Sequence, residues 1–305
     1  MKKLLGWVCI FVGLLSCAAQ AAEMARIHQK GELVVSLNRG YPPFSMEIDG
    51  KLTGLDVDLA RLIGDYLKVK VRFIQPRRYD DQIPRLLAME SDIIIAAMTR
   101  TAERGLKINF TKPYFHVSQA ALVNRKLVGP DASSYFDLTG ISGLTVGVKA
   151  GTTHEKFARQ LFPKEAIKTY PTTEKAIEAV LKGDVDAMAA DSPFVRIWQA
   201  THPREALRVK ALLEPVTKET YGFAIRKGDP DFLTWLNLFI DQISSDGTLD
   251  LLKYEYFEHL TWAGEKFATV KTPTKAEMLK NKFIQQRRQK LEQLREQQPR
   301  GDAYE

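Results

Sequence analysis

The chain has little sulfur and few groups that hold metals. Its two cysteines, Cys9 and Cys17, both fall within the first 17 residues. The remainder therefore carries no disulfide framework and no thiolate metal centre. The 5 histidines show no metal-ligand spacing, and no glycine-rich cofactor motif is present, so no metal and no cofactor is expected. Long apolar runs are also missing. The longest, Leu4 to Leu15, is shorter than the roughly 20 residues that span a bilayer. A strong charge bias on the central part is lacking as well. Of the net charge of +7, two units come from Lys2 and Lys3 and four from the stretch after Leu260. A nucleic-acid face on the folded core is thereby disfavoured.

What is present begins with an export segment, residues 1–22. Lys2 and Lys3 precede the apolar run, and Ala19-Gln20-Ala21 supplies an Ala-x-Ala cleavage site. Leu14-Leu15-Ser16-Cys17 also fits a lipobox, in which Cys17 would carry a lipid anchor. Either signal places the mature chain in the periplasm.

From Glu32 onward, short β-rich runs alternate with helical ones, the pattern of an α/β protein. Strands are expected over Glu32–Leu37, Val69–Ile74, Asp92–Ala97, Leu144–Lys149 and Val185–Ala190. Helices are expected over Asp56–Leu67, Asp80–Met89, His154–Leu161 and Thr173–Leu181. IPRLLAMESDIIIAA and IEAVLKGDVDAMAAD each run from helix through an aspartate, Asp92 or Asp186, into an apolar strand ending Ala-Ala. This weak repeat favours two similar lobes, and ligands of open α/β sheets gather at the carboxyl ends of strands.

The first such end is the odd one. SDIIIAAMTRTAER leads a core strand straight into hydroxyls and guanidiniums. Thr101 as an N-cap and Glu103 in a first helical turn account for half of it. Thr99 and Arg104 are left over, a hydroxyl and a planar fork suited to a carboxylate. In the second lobe Gly151-Thr152-Thr153 joins a strand to a helix, where backbone N–H groups favour an anion, or else form a plain capped turn. Asp191 follows the second Ala-Ala and either accepts from an ammonium or caps the helix beginning near Pro193. Tyr41 and Tyr79 sit in strand-to-helix loops, where packing is their ordinary role. Together these groups suit a zwitterion, the smallest common one being an α-amino acid.

Residues 32–260 resemble the family 3 periplasmic solute-binding proteins of polar amino acid ABC transporters. The matching stretches are YPPF, GLDVDLARLIG, DDQIPRLL, MTRTAER with INFTKPYF, VGVKAGTT and YGFAIRKGDPDF. The resemblance implies a two-lobed clamshell, each lobe a sheet flanked by helices, joined by two crossover strands. Lobe one would take residues 31–116 and 220–260, lobe two 120–216. It also implies roles. Arg104 would pair with the ligand α-carboxylate, helped by N–H groups of Thr99 and Thr153. Asp191 and the Thr99 hydroxyl would hold the α-ammonium, and Tyr41 and Tyr79 would wall the side chain. Ala96 and Ala97 offer carbonyls where relatives often have Ser or Gly. Asn38 stands where binders of cationic amino acids commonly have a carboxylate, and the basic Arg39, Lys149 and His154 lie near the site in sequence, so a polar neutral or acidic ligand is expected. The alternative for those three is a solvated rim.

The implied partners are a free amino acid and an inner-membrane ABC permease. Two rival functions are a cyclohexadienyl dehydratase of the same fold, with Asp191 or Asp80 as general acid, and a ligand-sensing module. Residues 265–305 are expected to form a basic, solvated helical extension with a thin stripe of Phe283, Ile284, Leu291 and Leu294.

Overall fold

The computed structural model describes residues 23–264, 286 and 289–296. The export segment with Cys9 and Cys17, and Phe283 and Ile284 of the tail stripe, lie outside the described residues.

Two five-stranded sheets organise the molecule. The first runs Lys70–Ile74, Glu32–Ser36, Ile93–Ile94, Ala224–Ile225, Asn109–Phe110; the second runs Ile167–Tyr170, Val146–Lys149, Ala187–Asp191, Gln119–Asn124, Val209–Leu212. In each, the first strand in sequence of a parallel trio lies between the other two, and an antiparallel strand follows. Phe115–Val117 and Glu219–Tyr221 pair antiparallel between the sheets and carry the chain across and back. The chain is thus the two-lobed α/β fold expected.

The paired aspartates do the same work in both halves. Asp92 Oδ2 accepts from Val34 N–H at 2.7 Å and Asp186 Oδ2 from Thr145 N–H at 2.8 Å. Each ties the entry of one strand to its neighbour.

The strand expected over Asp92–Ala97 is shorter, Ile93–Ile94. Beyond it Ala97 adopts φ +47°, a left-handed conformation that costs a residue with a Cβ about 1–2 kcal/mol and bends the chain. Its N–H donates to Asp56 Oδ2 at 2.7 Å, and Tyr114 Oη donates to Asp56 Oδ1 at 2.7 Å. Asp56, fully buried, thereby holds the bend that turns the chain toward Thr99. Thr101 caps the short helix Ala102–Gly105 by accepting from Arg104 N–H.

The tail departs from a solvated helix. Within 289–296, which is helical, Leu291 is 2 % exposed and joins the main apolar cluster. One turn on, Arg295 pairs with Asp58 and Glu255 and lies over the Tyr256 ring; Lys290 pairs with Asp65 at 2.7 Å. The reason is spacing: Leu291 and Arg295 share a helical face, and lobe one offers that face carboxylates around an apolar seat.

Candidate functional site

Between the lobes the strand ends converge. The cleft is lined by Asn38, Tyr41, Tyr79, Ala97, Thr99 and Arg104 from one side, and Lys149, Thr152, Thr153, His154, Thr173 and Asp191 from the other. All nine residues singled out in the sequence as ligand contacts lie here. The halves are closed on one another, leaving a cavity of about 10 Å³, roughly the room of one water.

On the lobe-one side, Arg104 Nη1 donates to the Thr99 carbonyl at 2.8 Å, and its guanidinium lies 5.8 Å from the Tyr79 ring. The fork is therefore fixed in direction while half-buried. Nη2 reaches Gly151 O across the cleft at only 3.5 Å. Thr99 Oγ1 faces Thr153 Oγ1 at 3.4 Å.

On the lobe-two side, Asp191 ends its strand and occupies the cap position of the helix Ser192–Thr201, yet makes no side-chain cap bond. Of the two readings left open in the sequence, the helix cap is not the one adopted: its carboxylate turns into the cleft. Tyr41 Oη donates to Asp191 Oδ2 at 2.7 Å, and His154 Nε2 stands 3.1 Å from the same oxygen. Among the described residues, Oδ1 is buried without a hydrogen-bond partner. Burial pushes this carboxyl up, but His154 and the Tyr221 and Tyr41 hydroxyls outweigh it and hold it below the usual carboxylate range. Like Oδ1, the Tyr221 hydroxyl that acts on this carboxylate is buried with no well-formed hydrogen bond among the described residues.

Thr152 spends its hydroxyl locally, donating to Lys149 O at 2.7 Å and accepting from Glu155 N–H. Gly151 N–H donates to Glu155 Oε2 at 2.9 Å. The turn thus satisfies part of its own anion-binding capacity, and first-turn backbone N–H groups such as those of Thr152 and Thr153 are left for a ligand. Gly151 itself is required. At φ +75° a Cβ here would lie 2.7 Å from Asp80 Cβ in the other lobe.

Two rim residues are not on the rim. Lys149 and His154 are 5 % and 6 % exposed, while Arg39 is exposed. The Lys149 ammonium crosses the cleft to donate to Asn38 Oδ1 and lies 5.1 Å from the Tyr79 ring and 5.9 Å from Tyr41. Burial lowers its pKa to about 8, against a weaker opposing pull from Glu174. Tyr41 also stacks on Phe194 at 4.8 Å, so it packs against lobe two and walls the cleft at once.

Asp56 was missed. A signal existed, since Asp56, Ala60, Ile63 and Leu67 fall on one helical face, and an acid on an apolar stripe is a buried one. Burial, opposed by bonds from Tyr114 and Ala97, pushes it up to about 7.

Residues 33–259 match the model of the bacterial extracellular solute-binding proteins, family 3. The L-cystine-binding protein of Escherichia coli (strain K12) is 29% identical over 240 residues, 78% of this chain and 87% of its own. An ancestral amino acid-binding protein, described as a precursor of cyclohexadienyl dehydratase, superposes with TM-score 0.69 at 36% identity, covering 78% of this chain and all of that one. An ancestral arginine-binding protein bound to arginine gives TM-score 0.67 at 33% identity, over 74% and 98% of the two chains.

Proposed function

The chain belongs to the bacterial extracellular solute-binding proteins of family 3, and from that premise we propose that it captures a free polar amino acid, neutral or acidic, by closure of its lobes and delivers it to an ABC permease. One observation carries the reading. A directed guanidinium on lobe one, Arg104, and an ionised carboxylate on lobe two, Asp191, line the same cleft. An α-carboxylate on the first and an α-ammonium on the second would pair both only when the lobes are together, so the ligand favours the closed form. Thr99 and the N–H groups at Thr152 and Thr153 would complete the carboxylate seat. The small cavity means that the ligand enters when the halves part.

Asn38 supports the choice of side chain, because it offers a cationic ligand no charge. Export to the periplasm, through residues 1–22, is part of the same reading. A dehydratase would need a protonated acid at the leaving hydroxyl. Asp191 and Asp80 do not fit that role: the pKa of each is lowered, the first as described and the second by its bond to Arg78.

The test is calorimetry on the purified chain against the common amino acids, repeated with Arg104→Ala. At least one polar amino acid should bind, and the variant should weaken it by at least about tenfold, about 1.4 kcal/mol. Wild-type affinity in the variant would overturn the assignment.

A further inference from the structure

We propose that Lys149 is the receptor for a carboxylate on the ligand's side chain, which makes the ligand an acidic amino acid; this rests on the reading that the cleft holds an amino acid at Arg104 and Asp191.

Lys149 closes the strand Val146–Lys149, whose carboxyl end opens on the cleft, and its side chain reaches across to Asn38 of the other lobe. Its charge therefore lies by the rings of Tyr79 and Tyr41, the two walls assigned to the ligand side chain. A lysine this deeply buried ordinarily has a carboxylate partner. Here the described residues place none within ion-pair distance. Its hydrogen bond is to a neutral amide, and Glu174 acts on it only at longer range. Glu174 is itself driven toward its neutral form by burial. An ammonium has three donors, and the Asn38 bond uses one.

The three classes of side chain then separate by charge. A cationic side chain between Tyr41 and Tyr79 would meet a like charge out of water. A carboxamide would satisfy a donor but leave the charge. A carboxylate would satisfy both. The charge inventory agrees: Arg104, Lys149 and, when protonated, His154 are opposed in the lining by Asp191, so a ligand with two carboxylates and one ammonium brings negative charge that the set lacks. The tyrosine walls add cation–π support to Lys149 meanwhile, which keeps the ammonium in place when no ligand is bound.

The experiment is calorimetry of the full chain with glutamate, aspartate, glutamine and arginine, on wild type, Lys149→Met and Asn38→Asp. Wild type should bind one acidic amino acid at least about tenfold more tightly than glutamine or arginine. Lys149→Met, close in size and uncharged, should erase that preference by weakening the acidic ligand more than glutamine. Asn38→Asp gives the ammonium an internal carboxylate and should weaken the acidic ligand by about tenfold as well, which keeps the test decisive if Lys149→Met does not fold. If arginine or glutamine binds tightest, or both variants leave the acid-to-amide ratio unchanged, the role of Lys149 is overturned while amino-acid capture stands. If none of these amino acids nor any other binds, both readings fall.

Discussion

The two lobes are built alike and equipped differently. Each places a strand between two parallel neighbours, enters the third through an aspartate that accepts from the backbone beside it, and leaves that strand at the cleft. Beyond that point they diverge. Lobe one bends at Ala97 and presents a half-exposed guanidinium; lobe two runs straight into a carboxylate that is 3 % exposed, and adds a buried lysine and histidine. A repeated frame thus supports opposite charges where the two lobes meet, and in the function proposed above a ligand carrying both signs pairs with the two together. The difference in burial also teaches where energy resides. Water screens Arg104 in part, whereas Asp191 is seated where an unpaired charge is costly.

That contrast sets the largest expected effect. Asp191→Ala should weaken ligand binding by about a hundredfold, about 2.7 kcal/mol, more than Arg104→Ala, because it leaves a ligand ammonium uncompensated in the better-buried half. Calorimetry on the two variants side by side checks it; a smaller loss for Asp191→Ala would break the comparison.

Next comes the contact between lobes. Gly151→Ala puts a methyl against Asp80 of lobe one, so the cost falls on the closed form. Affinity should drop by about tenfold, and small-angle scattering with saturating ligand should show a larger radius of gyration than wild type. An unchanged closed form would mean that the turn yields.

The pH dependence sharpens the asymmetry further. Burial holds Lys149 down at about pH 8, opposed by Glu174; the facing Tyr41 and Tyr79 are both raised and stay protonated there. A bound carboxylate would raise the lysine again. Affinity for an acidic ligand should then be level below about pH 7 and fall as pH rises through 8, by about threefold between pH 7.5 and 8.5. Lys149→Met should remove the slope. The smallest effect belongs to Lys156→Ala, which breaks the exposed pair with Glu103; affinity should change by less than about twofold.

How much of this was legible in the sequence follows from distance along the chain. Thr99, Arg104 and Asp191 announced themselves locally, as polar groups directly after apolar strands. Whether Asp191 capped a helix or faced a ligand was not readable, because the answer is set by Tyr41, 150 residues away. Lys149 looked like a rim residue for the same reason. Its burial depends on Asn38 and the two tyrosines, all from the other lobe. Asp56 needed only its helical period, but an acid near a helix start reads first as a favourable partner of the dipole. The tail was misjudged because a thin stripe gives no hint of its seat, which Asp58, Asp65 and Glu255 assemble from distant parts of lobe one.

A crystal structure with the amino acid that most raises the melting temperature tests the central claim most directly. The account predicts the α-carboxylate on the Arg104 guanidinium and the α-ammonium within hydrogen-bond distance of Asp191, with the lobes shut around them. An amino acid bound elsewhere, or held in the cleft with neither side chain touching it, would contradict it.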